Sequence, residues 1–217
     1  MNYFTSSIGR KQLMGLTGLG LSLFVLMHMA GNMLILVSAD AYNAYGHALV
    51  STKLIYVAEV GLIGLFLSHI FLAIGLSYEN RKARPQGYAM GTNGDKGVCP
   101  ASKTMAYQGL LILAFTISHL ATFKYGTIYE TVVHGVPMRD LHRLVVEIFH
   151  QPGYIGWYLV SLVALGAHLS HGVSSSFQSL GFNHPRYTCG IKTAGRIYAV
   201  VVAGGFIVQP LYVFFLR

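Results

Sequence analysis

Histidine is the residue type in this sequence whose number and placement suggest chemistry. The 217 residues include ten histidines but only seven carboxylates. An ionisable side chain inside a bilayer is costly unless it is paired, and it usually marks a functional site. Iron or another metal satisfies one nitrogen of an imidazole, while the second nitrogen donates to a neighbouring group. Four histidines lie one each within long apolar runs and are therefore candidate ligands: His28, His69, His119 and His168.

These runs are long enough to cross about 30 Å of hydrocarbon. The chain is 53% hydrophobic and 10% charged, whereas soluble domains carry about 25% charged residues. We predict an all-α membrane protein that forms one domain, residues 1–217, with the first four of five transmembrane helices forming a bundle. The predicted spans are residues 12–37, 54–78, 104–125, 154–180 and 194–216. We expect residues 79–103 to be irregular, and residues 126–153 to include a short amphipathic helix at the membrane surface.

The net charge of +8 does not indicate a nucleic-acid partner, because no soluble domain remains to bind one. Ten cations lie on one side of the predicted spans and five on the other, so we expect the N-terminus to face the cytoplasm of a bacterial inner membrane. The ten are Arg10, Lys11, Arg81, Lys82, Arg84, Lys96, Lys103, Arg186, Lys192 and Arg196, and the five are Lys53, Lys124, Arg139, Arg143 and Arg217.

Cys99 and Cys189 are isolated, which argues against a thiolate metal site and against covalently attached haem.

The depth of each histidine follows from the helical rise of about 1.5 Å per residue. Measured from the cytoplasmic ends of their spans, His28 and His119 lie roughly 27 and 24 Å deep, and His69 and His168 roughly 18 and 20 Å deep. The first two therefore form an outer pair and the last two an inner pair. A zinc site would need all four ligands at one depth.

In an up-down bundle the first and third helices are diagonal, as are the second and fourth. Each pair would then face its partner across the bundle centre, as two axial ligands of a flat macrocycle do. We therefore predict two stacked b-type haems, with small residues making room for them. The small residues concerned are Gly31, Gly64, Gly166 and Gly172. His171 is an alternative ligand to His168, although a contact with a haem propionate or a partner subunit is the favoured interpretation.

Two low-spin haems would carry electrons across the membrane, and a quinone is a natural partner there. Glu59 lies about two turns into the second span and is the candidate for proton transfer to the quinone. Asp40, Tyr42 and His47, in the predicted preceding loop, are further quinone candidates. The alternative is that Glu59 is a headgroup-level side chain paired with Lys53 or a loop cation. The remaining loop histidines are expected to contact water or lipid headgroups: His47, His134, His142, His150 and His184.

The residues around these histidines resemble a known family. The segments "TGLGLSLFVLMHMAGNM", "EVGLIGLFLSHIFLAIGLSYENRKARPQGY" and "HLSHGVSSSFQSLGFNHPRY", with one histidine per helix, are similar to the dihaem cytochrome b membrane anchor of succinate:quinone oxidoreductases and quinol:fumarate reductases. The similarity covers essentially all five spans.

The resemblance implies that His69 and His168 hold the haem nearest the cytoplasmic subunits and that His28 and His119 hold the far one. It also implies a flavoprotein subunit, where succinate and fumarate interconvert, an iron–sulfur subunit that feeds the haems, and menaquinone near the outer haem. Some fumarate reductases carry a glutamate two residues before the fourth ligand, for proton return across the membrane. This chain has Gly166 there, so Glu59 or Glu147 would have to serve instead.

Two other classes of protein stay open. One is a stand-alone or hydrogenase-linked transmembrane cytochrome b, which would place both ligands of each haem on one helix pair. The other is a haem-free, proton-coupled transporter, which would have spans broken near the midplane. Pro210 is the only proline within a predicted span.

Overall fold

Five long helices form the body of the molecule. The computed structural model describes residue 3 and residues 6–83 and 100–216. Five helical segments within these ranges are long and apolar enough to cross a membrane, so the chain is a multi-pass helical membrane protein. The elements are α1 Ser7–Asn32, α2 Ala39–Val50, α3 Leu54–Lys82, α4 Pro100–Lys103, α5 Met105–His119, β1 Glu130–Val133, β2 Val136–Arg139, α6 Leu141–Phe149, α7 Pro152–Ser179 and α8 Pro185–Leu216.

Two of the five spans change helical type at one end. A 3₁₀ segment, Met33–Leu36, continues α1, and a π-helical turn, Leu120–Lys124, continues α5 directly after His119. Gly126 closes this turn, where a Cβ would lie 2.0 Å from the carbonyl oxygen of Thr122. Such wide turns are often found at functional sites.

The helices are arranged so that α1 and α7 form the centre. Helix α1 packs against α3, α7 and α8, while α7 packs against α5 and most extensively against α8. Helices α1 and α5 therefore stand diagonally across the first four spans, and so do α3 and α7. This is the arrangement expected of an up-down bundle.

Close contact of α1, α7 and α8 depends on small residues and on polar side chains that reach backbone carbonyls. A Cβ on Gly15 would lie 3.2 Å from the carbonyl oxygen of Ser176. From α8, the Tyr198 hydroxyl donates to the Ser22 carbonyl at 2.5 Å, and the Gln209 amide donates to the Met29 carbonyl at 3.3 Å. Both features are typical of helix packing in membranes.

Helices α3 and α5 differ from the other three because neither contains a buried residue along its described length. Ion pairs fix both ends of α3. Arg10 Nη1 lies 2.5 Å from Glu79 Oε1 at one end, joining α3 to α1. Lys124 Nζ lies 2.5 Å from Glu59 Oε1 at the other end, joining α3 to the chain that follows α5.

A layer of short elements, formed by α2, the β1–β2 hairpin and α6, covers the Glu59 end of the bundle. The hairpin turns at His134 and Gly135, which both have positive φ, as a two-residue type I′ turn requires. Asn43 is buried and joins the layer, since its amide donates to Asp140 Oδ1 at 2.9 Å and accepts from the His142 amide at 2.9 Å.

The predicted amphipathic helix is α6, whose apolar face buries Leu144, Val145 and Phe149. Four details of the sequence prediction were wrong. The residues expected in a loop before the second span form α2, and the hairpin was not predicted. Helix α3 continues to Lys82, into the segment expected to be irregular, and α8 begins at Pro185, nine residues early. Arg84, Lys96, Cys99 and Arg217 lie outside the described residues.

A glycine pair in α8 tests this packing. A Cβ at Gly205 would lie 2.5 Å from Met29 Sδ, whereas a Cβ at Gly204 would meet nothing within 4 Å. We expect Gly205→Leu to destabilise the protein by about 1–3 kcal/mol, the usual cost of overpacking. Gly204→Leu is the matched control and should be tolerated. Unfolding curves in mixed detergent measure both, and equal stability of the two variants would contradict the close α1–α8 contact.

Candidate functional site

The four intramembrane histidines meet as two pairs. The ring centres of His28 and His119 lie 5.8 Å apart, with an interplanar angle of 88°. Those of His69 and His168 lie 6.4 Å apart, with an interplanar angle of 70°. Each pair joins diagonal helices, α1 with α5 and α3 with α7, so each spans the centre of the bundle.

These separations fit two imidazoles on opposite sides of one iron. Each metal–nitrogen bond is about 2 Å long and each ring centre lies about 1 Å behind its nitrogen, so the ring centres of such a pair are roughly 6 Å apart. Among residue 3 and residues 6–83 and 100–216, no group of three or more His, Cys, Asp or Glu is placed to hold a metal ion. The four histidines therefore meet in twos, and two is the number of protein ligands that a bis-histidine haem would need.

Three helices give the distance between the two pairs. Thr17, which contacts His69, precedes His28 by eleven residues along α1. Gly109, next to His168, precedes His119 by ten residues along α5. Tyr158, which contacts His119, precedes His168 by ten residues along α7. At about 1.5 Å per residue, the pairs are roughly 15 Å apart along the bundle axis.

Hydrogen bonds engage one ring nitrogen in each pair. His69 Nδ1 lies 3.2 Å from Thr17 Oγ1, and His119 Nδ1 lies 3.0 Å from the Tyr158 hydroxyl. His168 Nδ1 is buried and has no hydrogen-bond partner among the described residues. A buried ring nitrogen without a partner is expensive.

Aromatic rings surround the outer pair. Phe24 stacks on His28 at 5.4 Å between ring centres, and Phe206 of α8 lies 5.8 Å from the same ring. On the other side, Phe115 and Phe123 lie 5.8 and 5.4 Å from His119. This lining is apolar and excludes water from the imidazoles.

The glycines next to the histidine rings were missed by sequence reasoning. A Cβ on Gly18 would lie 3.4 Å from His69 Cε1, and one on Gly109 would lie 3.9 Å from His168 Cε1. Each of these glycines lies ten residues before the histidine of its own helix. The sequence spacing therefore gave no indication that it contacts a histidine of another helix.

Two of the four glycines predicted to make room for haem lie in close contacts with neighbouring helices. A Cβ on Gly31 would lie 2.5 Å from the Tyr45 ring, and one on Gly166 would lie 2.9 Å from Ala203 Cβ. A Cβ on Gly172 would make an ordinary contact, 3.9 Å from Met105 Cε. The contact of Gly166 with α8 leaves no space for a larger side chain at this position. Only Gly64 has nothing within 4 Å.

Tyr42 connects α2 to the outer pair, although it was predicted to lie in a loop. Its hydroxyl donates to Asn32 Oδ1 at 2.8 Å, and the Asn32 amide donates to the His28 carbonyl at 2.8 Å. Burial raises the pKa of Tyr42, so the hydroxyl stays protonated and remains a donor. Asp40 is exposed in the first turn of α2, and His47 is half-buried near the end of that helix.

Glu59 forms its ion pair with Lys124, not with Lys53. Lys124 follows His119 by five residues, so the pair lies roughly 8 Å beyond the outer histidines along the chain. The two side chains are 35% and 40% exposed. Glu59 is therefore both paired, as the alternative interpretation expected, and close to the outer pair.

Of the remaining polar candidates, His171 lies next to the inner pair and the others belong to the surface layer or to helix ends. Glu147 is exposed and accepts a hydrogen bond from the Tyr129 hydroxyl at 2.6 Å, and this bond raises the pKa of Tyr129. His171 is half-buried one turn after His168. His134 lies in the hairpin turn, His142 lies in the first turn of α6, and His150 and His184 lie at helix ends.

Comparison with protein-family models, with curated proteins and with solved structures finds no match to this chain. The fold and the site define a class, a five-span helical membrane protein with two intramembrane histidine pairs. The resemblance to the dihaem anchors rests on the three sequence segments and on these histidines.

The Glu59–Lys124 pair has a measurable energy. A partly exposed ion pair contributes about 0.2–1 kcal/mol, so the double variant Glu59→Gln/Lys124→Met should show a coupling energy in that range in unfolding experiments. Glu130→Gln combined with Lys124→Met is the control and should show none. A coupling energy of zero for the first pair would mean that the ion pair does not fix α3.

Proposed function

We propose that this protein is the membrane anchor and electron-transfer subunit of a complex that interconverts succinate and fumarate. It would pass electrons between an iron–sulfur subunit and a quinone pool through two b-type haems. The dicarboxylate chemistry would take place on a flavoprotein subunit, and menaquinone is the expected quinone.

The observation that carries this proposal is the meeting of the four histidines as two pairs, at 5.8 and 6.4 Å. Two haems would supply a one-electron relay across the bilayer. The roughly 15 Å between the pairs is a centre-to-centre separation, and the edges of two flat macrocycles would be closer still. His69 and His168 would hold the inner haem, and His28 and His119 the outer one.

Conversion of a quinone to a quinol takes up two electrons and two protons, so a proton-exchanging group must lie near the outer haem. Glu59 is the candidate because it lies in the outer part of α3 and pairs with Lys124, five residues after His119. Release of the carboxylate from Lys124 would free it to exchange a proton with the bound quinone. Tyr42 is buried and would act through Asn32 rather than by contact with the quinone.

The inner end of the bundle carries the basic residues expected to face the partner subunits. Arg10 pairs with Glu79, while Arg81 and Lys82 lie at the end of α3, and Arg186 and Lys192 lie in α8. A cationic margin is also typical of a cytoplasmic membrane face, so it supports the orientation as well as the docking.

The structure favours neither alternative class. In a cytochrome that places both ligands of each haem on one helix pair, the same two helices would carry all four histidines, whereas here four helices carry one each. In a transporter the spans would be interrupted near the midplane, whereas the irregular turns after α1 and α5 lie at helix ends.

Haem content tests the proposal directly. The purified protein should contain two b haems per chain that titrate at separate potentials. His28→Ala and His119→Ala should lose the same haem, and His69→Ala and His168→Ala should lose the other, because each iron needs both axial ligands. Reduced-minus-oxidised spectra measure this outcome.

His47→Ala and His134→Ala are the matched controls and should keep both haems. A protein without haem would overturn the proposal, and the histidine pairs would then have to be interpreted as core contacts or as a proton path.

A second measurement tests membership of the succinate–fumarate complex. In native membranes succinate should reduce the haems of this chain, and the tagged chain should co-purify with a flavoprotein and an iron–sulfur protein. Haems that respond to a menaquinol analogue but not to succinate or fumarate would place the protein in the other class of transmembrane cytochromes.

A further inference from the structure

Hydroxyl groups from two helices hold one histidine of each pair. Thr17 of α1 contacts His69 of α3, and Tyr158 of α7 contacts His119 of α5. In both cases the contact is to Nδ1, at 3.2 and 3.0 Å. Neither hydroxyl belongs to the helix that carries the histidine.

The direction of the Thr17 hydrogen bond follows from its other contacts. Thr17 Oγ1 lies 2.9 Å from the Leu13 carbonyl and 3.1 Å from the Met14 carbonyl. Carbonyl oxygens only accept, so the single hydroxyl hydrogen is directed to one of them. The oxygen must then accept from His69, which places the imidazole hydrogen on Nδ1 and a lone pair on Nε2.

Tyr158 is held more rigidly than Thr17. Its side chain is 5% exposed, and the rings of Phe115 and Phe149 both lie 4.9 Å from its own ring, in edge-on contact. This packing fixes the hydroxyl opposite His119 Nδ1. A nitrogen that shares a hydrogen with a hydroxyl is not free to bind iron, so Nε2 would be the ligating atom of His119 under the proposed function.

The second histidine of each pair has no comparable support. His168 Nδ1 has no hydrogen-bond partner in the described part of the chain. The Asn32 amide nitrogen lies 3.4 Å from one ring nitrogen of His28 and 3.5 Å from the other, so it selects neither. Each pair therefore combines one imidazole whose Nδ1 is contacted by a hydroxyl with one whose Nδ1 is not.

We propose that Thr17 and Tyr158 are positioning residues, one for each haem, that orient the imidazole they contact and tune the potential of the iron it binds. This inference rests on the proposed haem function. An oxygen that accepts the Nδ1 hydrogen makes the imidazole more basic, which stabilises the ferric state and lowers the potential. Because the two hydroxyls lie at different sites, each haem is tuned separately.

The test is a potentiometric titration of the purified holoprotein carrying Thr17→Val or Tyr158→Phe. Each variant should raise the midpoint potential of one haem only, the inner one for Thr17→Val and the outer one for Tyr158→Phe. The expected shift is up to about tenfold in the reduction equilibrium, or about 59 mV for one electron. Low-temperature EPR of the same haem should also change, because its signal depends on the angle between the two imidazole planes.

Two hydroxyls whose hydrogen bonds, in the described part of the chain, go to groups other than histidine provide matched controls. Thr116 donates to a carbonyl of its own helix, Ile112, at 2.8 Å, and Tyr129 donates to Glu147 at 2.6 Å. Thr116→Val and Tyr129→Phe should leave both potentials unchanged. Thr17→Ser keeps the accepting oxygen, so its inner haem should have the wild-type potential.

Replacement of Tyr158 by 3-fluorotyrosine provides a variant of nearly unchanged shape. Fluorine makes the phenol oxygen a poorer acceptor, so the outer haem should shift upward even if Tyr158→Phe fails to fold. Two haems with unchanged potentials in Thr17→Val and in the fluorotyrosine protein would overturn the positioning roles while the proposed function stood. A wild-type protein without haem would instead overturn the proposed function.

Discussion

A polar group inside a bilayer must find a partner within the protein, because the lipid offers none. Leaving such a group unpaired costs several kcal/mol, and the imidazoles in the first four spans are the largest such liability in this chain. The arrangement of those spans follows from it. Each imidazole lies close to another across the bundle, and hydroxyls on α1 and α7 contact one nitrogen of His69 and one of His119. Even the serine and threonine hydroxyls of the spans donate to carbonyls of their own helices, as Thr17 and Thr116 do.

The same constraint separates two parts of the bundle. Helices α1, α7 and α8 pack through glycines and through side chains that reach backbone carbonyls, so they form a unit without help from other groups. Helices α3 and α5 supply one histidine to each pair but bury no residue of their own. Their position depends on the ion pairs of Arg10 and Lys124, on contacts along one face, and on the two histidine pairs.

Hydropathy and helical rise were sufficient to predict the five spans and to sort the histidines by depth, because both are local properties of the sequence. Partners distant in the chain were not predictable in the same way. Lys124 lies 65 residues from Glu59, and nothing near Glu59 indicates it. Helix α2 forms where a loop was expected because Tyr42 and Asn43 dock against α1 and α6. The hairpin did carry a local signal, the His134–Gly135 turn between β-branched residues, which was overlooked.

The exposed face of α3 has a consequence for biogenesis. The layer of α2, the hairpin and α6 lies over one end of the bundle and covers it. Under the proposed function, a flat hydrophobic molecule such as haem or a quinone would therefore enter from the bilayer, between α3 and α5. Under the proposed function, haem would join α3 and α5 to the α1–α7–α8 unit through the histidine pairs. A shortage of haem would then leave these two helices held only by ion pairs and by contacts along one face, and a loosely packed protein is more readily degraded.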